Sequence, residues 1–259
     1  MSVLALPGLK RRSAAAGNLV RTAVGLAWIA VLVLAATWLG ALVPLDDGLA
    51  RLRFSLLARP ASHTLTTVDI DAASIRAAGQ WPWSRERFAR VIDNLHAAGA
   101  KQIAFDVDFS ASSTPQGDAA LRKAIEARPG TVILPTFVQH DARVKAGIVE
   151  NRPLGAISND ALVASVNVPV DPDGRVRRYR FGFAEGETFR PSVGNMLAET
   201  PTTRTGAFLV DYGIRVGSLD HLSFQDVYSG RFDKRLVRGR STSLADRVPG
   251  WYSCTTSWG

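Results

Sequence analysis

From Ala23 to Val43 the chain reads AVGLAWIAVLVLAATWLGALV, with no charged residue in the run. A helix of that length covers roughly 30 Å, the thickness of a bilayer core. Both of its faces are apolar, which a helix lying on one side of a soluble core does not require. The pattern predicts a membrane-spanning helix over 23–44. A cleaved signal peptide is the rival reading, but its apolar stretch normally stops at about 7–15 residues and ends in a small-residue cleavage site. Lys10, Arg11, Arg12 and Arg21 precede the run, and Asp46 and Asp47 follow it. The positive-inside rule then keeps residues 1–22 in the cytoplasm and puts the chain from about residue 45 outside. GLARLRFSLLARP comes next, with helical spacing through Leu49, Leu52, Leu56 and Leu57 and a stop at Pro60. It reads either as a juxtamembrane helix or as the first helix of a globular part.

Beyond Pro60 the period changes. HTLTTVDI (63–70) is short and rich in β-branched residues, as a buried strand is. DAASIRAAG makes a short turn or helix. Residues 84–98 form an amphipathic helix with Phe88, Val91, Ile92 and Leu95 on one face, closed by Gly99. KQIAFDVDF (101–109) is a second buried strand, 117–127 a helix with Leu121 and Ile125 on one face, and TVILPTF (131–137) a third strand. Strand and helix in alternation imply an α/β fold with right-handed crossovers on a mostly parallel sheet. Farther on, ALVASVNVPV and RVRRYRFGF flank the turn DPDG (171–174) and read as a hairpin or a pair of extended segments, with Arg175, Arg177 and Arg180 on one face of the second arm. A short helix over 192–199, a strand over 207–212 and a short helix in HLSFQDVYSG complete the pattern.

Composition narrows the class. With 46% apolar and 21% charged residues in 259, the chain suits one large domain plus an anchor, or two small domains. The net charge of +8 is split between Lys10 to Arg12 and the stretch from Arg231 to Arg247, with mixed signs between them. A nucleic-acid module concentrates its charge on one element, so no nucleic acid is expected as a partner. The single Cys254 excludes an intrachain disulfide.

The chemistry worth testing lies at strand ends. Asp69 and Asp71 end the first strand, and Asp106 and Asp108 end the second. Ligand sites in open α/β sheets collect at the carboxyl ends of strands, where four converging carboxylates can hold a divalent cation. The alternative is that they cap the helices and turns that follow. His63, His96, His140 and His221 show no paired metal spacing, and neither a phosphate loop nor a nucleophile elbow occurs. No catalytic residue, metal ligand set or cofactor is assigned. FDVDFS resembles the nucleophile motif of haloacid-dehalogenase-type phosphatases, in which the first Asp attacks phosphorus and the second is acid and base. The later lysine and paired acidic residues of that family are not evident in order. A periplasmic metal-dependent phosphohydrolase using Asp106 and Asp108 is therefore the alternative function.

Four pieces taken in order carry a stronger resemblance: TTVDIDAASI with GQWPWSRERFARVIDNL, GAKQIAFDVDFS with the Gly117-Asp118 step, VNVPVDPDGRVRRYRF, and HLSFQDVYSGRFDKRLVRG. They resemble the CHASE domain of the second type, an extracytoplasmic sensory module of bacterial cyclases and histidine kinases. The resemblance implies a sensory domain over 45–239, a single-pass anchor in the inner membrane, a small-molecule or protein stimulus and a cyclase or kinase output. It leaves room for a homodimer. Trp81, Trp83, Arg85, Asp69, Asp71, Asp106 and Asp108 form the candidate pocket. In the Trp-Pro-Trp step one ring is expected to pack on the sheet, while Ser84 caps the helix and Arg85 reaches a strand-end Asp. After RFDKRLVRG the family pattern continues with an apolar strand, where this chain reads RSTSLADRVPGWYSCTTSWG. Residues 240–259 are accordingly expected to be an atypical tail, with the frame altered near residue 237, the closing strand lost and no enzymatic output in the chain as written.

Overall fold

The computed structural model describes residues 9–79, 81–140, 148–185, 188–198 and 201–246, and the chain divides into two compact units, Met1–Ala58 and Arg59–Gly259. The first unit holds α1 (Leu9–Trp38) and α2 (Val43–Leu56). Within α1, Val20–Trp38 is long and apolar enough to cross a bilayer. The helix stops short of the expected 44. Gly40 takes φ 68°, the Ala41 N–H donates to the Ala36 carbonyl (2.9 Å) and the Gly40 N–H to the Thr37 carbonyl (3.2 Å). That is a Schellman cap, for which only glycine adopts the left-handed position without strain. The apolar pattern could not reveal it, because apolar residues lie on both sides of the stop. α2 restarts at Val43 with Pro44 in its first turn, where a missing N–H costs nothing. It buries none of its residues and falls within the first unit.

In chain order the second unit runs β1 (Leu65–Ile70), α3 (Ala72–Ala78), α4 (Arg85–Ala97), β2 (Gln102–Phe105), α5 (Pro115–Glu126), β3 (Val132–His140), β4 (Ile148–Asn151), α6 (Gly155–Ser158), β5 (Leu162–Ser165), β6 (Arg178–Glu185), β7 (Thr188–Pro191), α7 (Val193–Leu197), β8 (Gly206–Leu209), β9 (Asp220–Ser223), α8 (Phe224–Ser229) and β10 (Ser241–Asp246). Among the described residues, seven strands form one sheet in the order β4-β3-β2-β10-β1-β9, with β5 also paired to β3. All its pairings are parallel except β3 with β4. This is the mostly parallel α/β sheet that the alternating pattern predicts.

Side-chain alternation sorts the two faces. Val68, Ile70, Ile103, Phe105, Val132, Leu134 and Leu244 face the main core, where α4 contributes Phe88, Val91, Ile92 and Leu95 and α5 contributes Leu121 and Ile125. Ala104, Ile133 and Ala164 face the other way and meet Val193, Met196 and Leu197 of α7 and its end.

Three expectations are corrected. The tail does not begin at residue 240: Ser241–Asp246 is β10, in the middle of the sheet, with Val68 opposite Leu244 and Leu244 opposite Phe105. The closing strand is present. Its sequence STSLAD looks polar because only Thr242 and Leu244 face the main core. Residues 247–259, Cys254 among them, lie outside the described residues. DPDG does not join a hairpin either: β5 pairs in parallel with β3, while β6 pairs antiparallel with β7 and β8 in a separate three-stranded sheet. The turn is closed on itself, with Arg177 held by Asp171 (2.8 Å) and Asp173 (2.7 Å). Those hydrogen bonds keep the exposed Asp173 carboxyl low, at about 2. Finally, HLSFQDVYSG is half strand and half helix, with His221 on β9.

Candidate functional site at the carboxyl edge of the sheet

Asp71 caps α3. Its Oδ1 accepts from the Ser74 N–H and hydroxyl, each at 2.7 Å, and from the Ser223 hydroxyl at 3.3 Å. Burial alone would raise this carboxyl, but these hydrogen bonds outweigh it and hold it below the usual aspartate value. Asp69, two residues earlier on the same face, is buried with its Oδ2 3.1 Å from His221 Nδ1. Thr67 Oγ1 also meets His221 Nδ1. The β1–β9 register sets Thr67 beside His221 and Asp69 beside Ser223, so Asp69 on β1 and Asp71 just past its end both tie this segment to β9. Reading HLSF as helix hid this partnership. Treating it as a strand would have put His221 and Ser223 on one face.

Asp106 is exposed just past β2, where its N–H still donates to the Leu244 carbonyl. Asp69 lies opposite Ala245 on the other side of β10. Asp69, Ala245 and Asp106 thus make a row across three strands. Alternation places all three on the face away from the main core, with the two outer strands of the row about 10 Å apart. Asp108 is exposed in the loop beyond, where its Oδ1 accepts from the Ser110 N–H at 2.8 Å.

The other three candidates turn inward. Trp83 is buried, its indole N–H donating to the Gly79 carbonyl at 3.0 Å and its ring 4.9 Å from Phe224. Trp81 follows at 5.3 Å from Trp83 and 6.2 Å from Phe88, across a cis Trp81–Pro82 bond. Both rings seat α4 against the core, and Ser84 caps it as expected. Arg85 does not reach a strand-end Asp. Its guanidinium pairs with Asp118 Oδ1 at 2.5 Å, donates to the Ala111 carbonyl and lies 5.6 Å over the Phe109 ring. Asp118 stands in the first turn of α5, brought there because α4 and α5 pack side by side. Gly117 makes the approach possible: a Cβ there would sit 2.9 Å from Thr114 Oγ1 and 3.3 Å from Arg85 Cβ. The Trp-Pro-Trp and Gly-Asp motifs are therefore two halves of one packing arrangement.

At the opposite end of the sheet, a cavity of about 140 Å³ opens beside His63, Lys101 and Arg240. Asp220 takes hydrogen bonds from His63 Nδ1 (2.9 Å) and Arg240 Nη1 (2.5 Å). Among the described residues, no group of three or more His, Cys, Asp and Glu is arranged to hold a metal ion. The four strand-end carboxylates do not converge as a cation site, and the phosphohydrolase alternative finds no support in this geometry.

A sequence profile described as the CHASE2 domain matches residues 26–248, most of the chain. The chain belongs to the CHASE2 family. CHASE2 domains are extracytoplasmic sensory domains of signalling proteins. The match begins inside α1 and ends just past β10, so the CHASE2 region includes the central strand whose polar sequence disguised it. No curated protein and no solved structure matches this chain.

Proposed function

We propose that this CHASE2 chain is the sensory part of a single-pass receptor of the inner membrane. Val20–Trp38 crosses the bilayer, the basic N-terminal segment stays in the cytoplasm, and the unit from Arg59 senses a stimulus in the periplasm or outside. The domain passes its change to a cyclase or kinase output and does no chemistry of its own. The observation that carries this reading is the order along the chain: basic residues, one apolar helix, then a folded unit of an extracytoplasmic sensory family. The stimulus contact in this reading is the carboxyl edge of the sheet at Asp69 and Asp106, where a ligand carrying an amine or another cationic hydrogen-bond donor would compete for carboxylates that already have partners in the chain.

Two measurements test it. In intact cells carrying Ser62→Cys in a Cys254→Ser background, a membrane-impermeant thiol reagent labels the chain, whereas Ser2→Cys is labelled only after lysis. The reverse pattern overturns the topology. For the carboxyl edge, a panel of small amines and of small carboxylates is screened by thermal shift on the full chain in detergent. An amine at about 100 times its Kd adds about 2.7 kcal/mol of stability. Asp106→Asn removes that shift, read against the Tm of the unliganded Asp106→Asn chain. A shift that survives Asp106→Asn sets the contact elsewhere.

A further inference from the structure

Beginning α2 at Val43 adds a residue to the apolar spacing seen in the sequence. Leu45, Leu49, Leu52 and Leu56 recur at intervals of four, three and four, and at 100° per residue they fall within about 60° of one another. All four are exposed, at 59, 56, 55 and 75%. We propose that this leucine seam packs against the same seam of a second copy of the chain, the two α2 helices running parallel as a short coiled coil. The inference rests on the anchored reading above, because a shared membrane is what makes the two copies parallel.

The occupant follows from the shape and borders of the seam. A helix bedded in a lipid surface, or laid on a sheet, presents an apolar face at least about 100° wide. The α2 stripe has the narrower width of a coiled-coil seam. Asp46 and Asp47 balance Arg51 and Arg53 along the helix, so α2 lacks the basic excess that an anionic headgroup layer attracts. Asp46 and Arg53 border one side of the seam and Gly48 and Ser55 the other. In a parallel pair, Arg53 faces Gly48 of the second copy, and the position that Asp46 would face comes before the start of α2, so no like charges meet and the small Gly48 and Ser55 let the helices close up. Four leucines a side make far less than the roughly 800 Å² per partner of a stable interface in solution. Confinement of both copies to one membrane raises their effective concentration and supplies what the area lacks.

The test uses the full chain in its membrane, with Cys254→Ser and one of Leu45→Cys, Asp47→Cys, Leu49→Cys, Arg51→Cys, Leu52→Cys, Phe54→Cys or Leu56→Cys. Mild oxidation is expected to give a covalent dimer several-fold more readily at 45, 49, 52 and 56 than at 47, 51 and 54. A flat profile, or one that peaks at 47, 51 and 54, overturns the seam. Adding Leu49→Asp to the Leu45→Cys chain lowers the dimer yield several-fold without releasing the chain from the membrane; an unchanged yield also overturns it. Alkaline carbonate extraction separates the two readings. A chain washed out of the membrane defeats the anchored receptor and this pairing together, whereas a retained chain with a flat profile defeats the pairing alone.

Discussion

Arg85 is only 6% exposed, and its charge is met by Asp118, a backbone carbonyl and an aromatic face. Removing one partner of a buried pair leaves the other uncompensated, so Arg85→Ala is expected to cost about 3 kcal/mol in urea unfolding. Arg85→Lys does not restore the loss, because an ammonium cannot reach the carboxylate and the carbonyl with one planar fork. His96 makes stability depend on pH above the carboxylate range. Burial first, then the charge of Arg128, lowers it to about 4. The Thr131 hydroxyl gives its proton to the Arg128 carbonyl at 2.6 Å, so the neutral imidazole donates its Nε2–H to Thr131 Oγ1 at 3.0 Å. Below about pH 6.5 the unfolded chain takes up a proton that the folded chain refuses, and stability falls until about pH 4. The lowered carboxyls Asp71, Glu150 and Asp220 begin to lose their contributions as the pH falls into the ordinary carboxylate range, and go on losing them below it. Urea midpoints between pH 6.5 and 4.5 should therefore slope in the native chain and flatten in His96→Gln. Thr242 offers the opposite case: its buried hydroxyl has no partner among the described residues. Thr242→Val is expected to stabilise by about 1 kcal/mol in the same assay.

At the scale of elements, Glu150 ties the small sheet to the large one. It accepts from Thr136 of β3 (2.7 Å) and pairs with Arg190 of β7 (2.9 Å) while sitting on β4. Burial alone would raise this carboxyl, but the Thr136 and Arg152 hydrogen bonds and the charges of Arg190 and Arg152 lower it. Gly182 governs the pairing within the small sheet. A Cβ there would come within 2.4 Å of both the Arg190 carbonyl and the Phe189 ring. Neither the backbone nor a packed ring can yield that far, so Gly182→Ala is expected to cost about 2 kcal/mol or more. Faster amide exchange confined to β6, β7 and β8 would locate the damage there, whereas uniform acceleration would mean the small sheet is not separately stabilised.

For the whole molecule, β10 decides whether the sensory unit folds at all. It lies between β1 and β2, so its loss removes a hydrogen-bonding partner from both strands and takes Thr242 and Leu244 out of the core. A chain cut after Gly239 is expected to show no cooperative urea transition, and one cut after Val248 to unfold in a single step with native far-ultraviolet dichroism. A cooperative transition in the shorter chain would mean that β1 and β2 can close on each other directly.

The local patterns were legible before any coordinates. The apolar run, the Phe88–Leu95 stripe of α4, the first three strands with their crossovers and the Ser84 cap all depend on neighbours within a few residues, and periodicity reports such neighbours directly. The ordered motifs likewise pointed to the family that the match bears out. Tertiary structure alone decided the rest. Arg85 finds Asp118 rather than a strand-end carboxylate because two helices pack side by side. Asp69 finds His221 because β9 joins the sheet edge after 151 intervening residues of chain, a partnership that no local period encodes. STSLAD becomes a central strand although its composition is polar, because a parallel sheet recruits hydrogen-bonding partners by long-range pairing and asks of this one only that Thr242 and Leu244 face the core.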